Sequence, residues 1–116
     1  MTPKPQTMRD AFITDLVAVM KERNDIFFLA ADLGAPALDE LRRLYKDRFI
    51  NVGIAEQNLV NVAAGLALEG CVVYCFAIAP FISMRCYEQV RVNLALMSQV
   101  RPVNVTLIGV GAGASY

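Results

Sequence analysis

The sequence predicts an α/β fold: a three-layer sandwich around a mostly parallel sheet. Three observations predict it. Short apolar runs alternate with stretches of helical periodicity along the chain, the pattern of strand–helix–strand units. The apolar runs are continuous rather than alternating, as in strands covered on both faces. And 116 residues, 56% apolar and 19% charged, suit one core-forming domain and exclude a disordered tail.

The elements follow in order. Thr7, with Asp10 three residues on, marks a helix start. Met8, Phe12, Leu16, Val19 and Met20 then recur at helical spacing, predicting an amphipathic helix over 8–22 that ends at Asn24-Asp25. Residues 1–7, polar with two prolines, form a flexible leading segment, and 8–116 form the domain. Ile26 to Ala30 reads as a buried strand, and Asp32 to Pro36 as the loop at its C-terminal end. Leu38, Leu41 and Leu44-Tyr45 mark a short helix, and Phe49 to Val52 a short strand. Gly53 breaks the chain. Glu56 to Glu69 is a third helix, with Leu59, Val62, Ala63, Leu66 and Ala67 on its apolar face and Gly70 at its end. Val72 to Phe76 is the third strand. After a loop around Pro80, residues 83–98 read as a fourth helix with Tyr87, Val90, Leu94 and Met97 inward. Pro102 precedes a last strand, Val103 to Ile108.

Composition excludes several functions. Lys plus Arg and Asp plus Glu are 11 each; a nucleic-acid binder carries a basic excess. With no histidine, a His-based metal site or dyad is excluded. Cys71, Cys75 and Cys86 fit no metal-ligand spacing and read as small buried apolar residues. Met1 to Thr7 has no apolar core, so it is no secretory signal, and the thiols suit a cytoplasmic protein. Val62 to Met84 carries one charge, Glu69, and is long enough for a membrane span of about 20 residues. Glu69-Gly70 and Pro80 interrupt it, so it reads as helix, turn and buried strand. The apolar excess, with mean hydropathy +0.43, predicts partner surfaces: an oligomer subunit or part of a longer chain.

Ligands of such folds sit outside the C-terminal strand ends. Four segments fall there: Asp32 to Gly34, Gly53 to Gln57, Ala77 to Ser83 and Gly109 to Ser115. In the second, a glycine turn delivers Glu56 into the first turn of an apolar helix. The plain account is a carboxylate favouring the helix dipole, worth about 0.3–1 kcal/mol. The sharper one is a carboxylate shielded between apolar segments; shielding lets a carboxyl hold or give a proton near neutrality. Gly109-Val110-Gly111-Ala112-Gly113 suggests a dinucleotide fingerprint. That motif belongs after a first strand and before a helix, so a backbone-lined loop near the substrate is the expectation.

Phe49-Ile50-Asn51-Val52-Gly53-Ile54-Ala55-Glu56-Gln57-Asn58, followed by Val62-Ala63-Ala64-Gly65-Leu66-Ala67, resembles the pyrimidine-binding domain of transketolase-like thiamine diphosphate enzymes. Ala31-Asp32-Leu33 and Arg85-Cys86-Tyr87-Glu88-Gln89-Val90-Arg91 fit the same family, and the resemblance runs from about Thr7 to Tyr116. It is nearest to the separately encoded C-terminal subunit of bacterial transketolases, with deoxyxylulose phosphate synthase a near relative. The resemblance implies the thiamine diphosphate-binding fold and transfer of a two-carbon ketol unit between sugar phosphates. It gives Glu56 the catalytic role: a hydrogen bond to N1′ of the aminopyrimidine, favouring the imino form that takes the proton from thiazolium C2. It places Asp32 and Leu33 beside the thiazolium, Leu33 propping the bent cofactor; a turn Asp and a core Leu are the plain alternative. Phe81 or Phe76 stacks on the aminopyrimidine, Phe81 preferred, with core packing the alternative for Phe76. Gln57 would support Glu56. Arg85, Arg91 and Arg101 are either phosphate contacts or solvated helix charges.

The sequence departs from the family in three ways. The Gly111 loop has no histidine. The Gly-Asp-Gly motif for Mg²⁺ and diphosphate is absent, which implies an N-terminal partner subunit that holds them and a cofactor shared across the interface. The family also continues past the position of Tyr116, so the domain is expected to be incomplete at its C-terminus. Other readings are the β subunit of a 2-oxoacid dehydrogenase, a deoxyxylulose phosphate synthase-like enzyme and a non-catalytic assembly module.

Overall fold

The computed structural model describes residues 5–113. Four strands, β1 (Ile26–Ala30), β2 (Phe49–Asn51), β3 (Val72–Ile78) and β4 (Val105–Val110), form one sheet in the order β2-β1-β3-β4. All neighbours are parallel. The chain leaves β1 towards β2, then crosses back over β1 to β3. Right-handed crossovers in opposite directions place helices on both faces, and the sheet reverses its strand order between β1 and β3.

Helices α1 (Met8–Glu22) and α2 (Pro36–Leu44) cover one face, and α3 (Glu56–Leu68) with a helical segment over 81–99 covers the other. Strand alternation divides the core accordingly. Ile26, Phe28, Ala30 and Phe76 meet Ile13, Leu16, Met20, Leu38 and Leu41. Leu29, Val73, Cys75 and Ala77 meet Leu59, Val60, Ala63, Ala67, Ile82 and Cys86.

Thr7 caps α1, its Oγ1 accepting the Asp10 N–H at 3.1 Å. Asp10 turns instead to Arg9 at 2.8 Å, which holds its carboxyl below the usual range. Of the leading segment, residues 1–4 lie outside the described residues, while Gln6 donates to Thr14 Oγ1 at 3.0 Å. The inner face of α1 is Ile13, Leu16 and Met20; Met8, at 89% exposure, and Val19 face outward. The predicted stripe was thus rotated. Met8 and Val19 share an exposed flank of the helix, with Phe12 at its edge, its ring 5.8 Å from that of Tyr74 in β3. On α3 the buried face is Leu59, Val60, Ala63, Ala64 and Ala67, with Val62 and Leu66 half-buried.

The fourth helix departs most from expectation. It begins at Phe81 and combines π turns (Phe81–Arg85, Val90–Leu96), one α turn (Tyr87–Gln89) and a 3₁₀ turn (Met97–Gln99). A π turn bonds i to i+5 and shifts the inward face. Cys86 is buried, as its residue type suggested, whereas Tyr87, expected inward, is 67% exposed. Val90 and Leu94 pack inward as predicted.

β4 starts two residues later than its apolar run, because its pairing partner sets the register: Val73 lies opposite Val105. Gly109 lies opposite Ala77 in that ladder. A Cβ on Gly109 would sit 2.9 Å from Ala79 Cα and 3.0 Å from its Cβ, so backbone must move to admit any side chain. Gly109→Ala is expected to cost about 1–3 kcal/mol by overpacking. An unchanged urea midpoint would contradict it.

The cysteines are free thiols, and burial pushes Cys75 up to about 12. Among the described residues, no helix is long and apolar enough to cross a membrane.

Candidate functional site

The site is built where β2 ends and α3 begins. Gly53, at φ 80, turns the chain, and the Ala55 N–H closes a tight turn on the Gly53 carbonyl at 2.8 Å. The turn drops Glu56 into the first position of α3, where it is 5% exposed, the one buried charged residue described. Ala55 supplies no side-chain cap, so a carboxylate in this first turn also favours the helix dipole. Glu56 is thus both in the first turn of α3 and shielded from solvent.

Arg85 is the feature the sequence left hidden. Its guanidinium donates to Glu56 Oε2 at 3.3 Å. The same group lies 4.0 Å from the centroid of the Phe81 ring. Arg85 is 49% exposed on its other side, and Gln57 donates to its carbonyl at 3.1 Å. The flat guanidinium thus stands between a buried carboxylate and an aromatic face. Among the described residues nothing else hydrogen-bonds the carboxylate. Arg85 reaches Glu56 across 29 positions, which no local pattern could have signalled. The other two arginines are engaged elsewhere: Arg91 pairs with Glu88 at 2.6 Å, and Arg101 donates to the Leu68 carbonyl at 2.9 Å.

A cavity of about 470 Å³ opens beside this pair, lined by Ile54, Glu56, Asn58, Asn61, Arg85 and Gln89 among others. Gln89 Oε1 is buried without a hydrogen-bond partner. A buried acceptor of this kind is costly unless a donor reaches it.

The structure groups the sequence candidates into two sets. Glu56, Gln57 and Phe81 come together around Arg85. Asp32, exposed at φ 50, and Leu33, half-buried against the α1/α2 face, stand at the end of β1. Phe76 is a core residue, 1% exposed, its ring 5.7 Å from Phe28. Strand alternation turns it to the face opposite α3, away from Glu56. It also borders a second cavity of about 440 Å³, with Met8, Phe12, Ile108 and Gly111. The glycine loop continues from β4 at Gly111, and Ser115 lies outside the described residues.

A doubly wound parallel sheet whose strand order reverses between β1 and β3, with a buried carboxylate at the C-terminal strand ends, defines a ligand-binding α/β domain of the switch-point class. Residues 4–115 match the family model described as transketolase, pyrimidine binding domain, and the chain belongs to that family. It is 36% identical over 110 residues to an apulose-4-phosphate transketolase subunit from Actinobacillus succinogenes, covering 94% of this chain and 34% of that protein. It is 37% identical over 106 residues to the 1-deoxy-D-xylulose-5-phosphate synthase of Saccharopolyspora erythraea, covering 90% of this chain and 16% of that one. Among solved structures, a split-gene transketolase described as an inactive β4 tetramer superposes with a TM-score of 0.75 at 32% identity, covering 87% of this chain and 32% of that chain. The chain thus spans about a third or less of the length of these relatives.

Proposed function

We propose that the chain is the pyrimidine-side part of a thiamine diphosphate-dependent transketolase, transferring a two-carbon ketol unit between sugar phosphates. The observation that carries the reading is the seat between Glu56 and Phe81. A flat group with an N–H towards the carboxylate and its central carbon 4.0 Å from the ring centroid already fits there, in the form of Arg85. An aminopyrimidine presents the flat face, and in its imino or N1′-protonated form it presents an N–H to the carboxylate as well. Gln89, whose Oε1 is buried without a partner, is among the residues lining the adjoining cavity, and the residues fit the pyrimidine end of the cofactor through Glu56 and Phe81.

Bound thiamine diphosphate supplies a nucleophilic carbon for breaking and making carbon–carbon bonds. This chain's residues do the rest. Glu56 holds or gives a proton at pyrimidine N1′, in a setting that excludes most water. Phe81 supports the ring, and Gln57 fixes the Arg85 backbone beneath it. Asp32 and Leu33 border the thiazolium side. Mg²⁺ and the diphosphate fall to an N-terminal partner subunit, a reading supported by the subunit and split-gene descriptions of the relatives. Self-association is supported by the tetrameric neighbour and by Ile54, Met84 and Tyr87, apolar and exposed near the cavity. The free thiols support a cytoplasmic location. The Saccharopolyspora relative supports a second reading, a deoxyxylulose phosphate synthase-like enzyme. Assaying for formation of 1-deoxyxylulose 5-phosphate against ketol transfer between sugar phosphates separates the two.

The test is calorimetric titration of thiamine diphosphate with Mg²⁺ into the chain, alone and with its N-terminal partner. Binding only in the assembly, with turnover, is expected. A folded assembly that neither binds nor turns over would leave a non-catalytic module. Arg85 must also leave the Phe81 face for a ring to enter. Its ion pair and ring contact are each worth about 0.2–1 kcal/mol at such exposure. Arg85→Ala should therefore tighten thiamine diphosphate binding by roughly 2- to 30-fold. A weaker or unchanged Kd would show that the ring and the guanidinium do not share the seat.

A further inference from the structure

Asn51, the last residue of β2, has a side chain that joins two of the strand-end loops. Its Oδ1 accepts the N–H of Asp32 at 2.9 Å and the N–H of Gly53 at 2.9 Å. Its Nδ2 donates to Asp32 Oδ1 at 3.1 Å. Two backbone donors converging on one atom require oxygen there, which fixes the amide's orientation. Both loops are conformationally unusual at these contacts. Asp32 has φ 50, the one non-glycine residue described in the left-handed region, and Gly53 has φ 80. A left-handed non-glycine residue persists only where its surroundings over-determine it. Asn51 supplies that constraint from both sides, holding the Asp32 N–H and its carboxylate at once.

We propose that Asn51 is a positioning residue that couples the Asp32-Leu33 loop to the Gly53 turn carrying Glu56. The two loops leave different strands and are far apart in sequence. Each reaches the site through a near neighbour of the bonded residue: Leu33 directly follows Asp32, and Glu56 lies one short turn beyond Gly53. A single amide sets the distance between them. In naming the ligand, the inference rests on the function proposed above; the coupling itself stands on the three hydrogen bonds.

The test has two parts. In the full chain, amide hydrogen exchange is followed at Asp32 and Gly53. Asn51→Ala removes the shared acceptor, and both amides are expected to exchange about 10-fold faster or more, together. Asn51→Asp keeps an acceptor for both N–H groups, and protection at Gly53 should survive. It places a second carboxylate against Asp32, so Asp32→Asn added to it restores the reciprocal bond and should return protection at Asp32. Exchange unchanged in Asn51→Ala, or faster at only one amide, overturns the coupling. In the chain assembled with its N-terminal partner, Asn51→Ala should lower kcat about 10-fold at saturating thiamine diphosphate, with KM for the sugar donor within about twofold. A kcat within about twofold of wild type overturns the positioning role. If the wild-type assembly shows no thiamine diphosphate-dependent turnover, the proposed function fails, and the exchange measurement still decides whether Asn51 couples the loops.

Discussion

Glu56→Gln is expected to reduce turnover of the assembled enzyme at least about 10-fold, and by as much as roughly 10²–10⁴ if proton transfer at the pyrimidine is limiting. The substitution is nearly isosteric and keeps a side-chain oxygen for Arg85, so packing at the head of α3 is preserved. What it removes is the ability to ionise and to hold a proton at one position. Arg85 loses a charged partner but stands half in water, where the loss is small. A large fall in kcat with a native circular dichroism spectrum and little change in unfolding midpoint would fit a chemical role. Retention of more than a tenth of wild-type turnover would defeat it, and would leave Glu56 as a helix-dipole residue.

Phe28→Ala has the largest expected effect on stability, about 3–5 kcal/mol. Phe28 is fully buried in the middle of β1, between Phe49 at 5.5 Å and Phe76 at 5.7 Å. Its removal forfeits the transfer free energy of a large ring and two aromatic contacts worth about 0.5–1.5 kcal/mol each. The sheet fixes its neighbours, so the cavity cannot close. Whole domains have only about 5–15 kcal/mol to lose, so the variant should unfold at markedly lower urea. A loss below about 1.5 kcal/mol would mean that the face between the sheet and α1/α2 is loosely packed.

Most of the fold was legible because its signals are local. Apolar runs at Ile26–Ala30 and Val72–Phe76, the cap at Thr7 and the breaks at Gly53 and Gly70 each depend on a few adjacent residues. The failures were questions of facing and of element ends. Which flank of α1 turns inward is chosen by the sheet. In the fourth helix Tyr87 faces out and its neighbour Cys86 inward. The start of β4 was set by Val73 across the ladder.

The site divides in the same way. The position of Glu56, one turn past a strand end and at the head of an apolar helix, follows from the sequence alone, because a glycine break and a helical period are local properties. So does the family, carried by a continuous block of residues. The pairing of Arg85 with Glu56, the seat it shares with Phe81, the assignment of Phe76 to the opposite face and the bridge made by Asn51 were decided by tertiary structure. Each joins residues from different elements. Only the parallel sheet, by bringing its C-terminal strand ends side by side, sets those side chains within hydrogen-bonding distance.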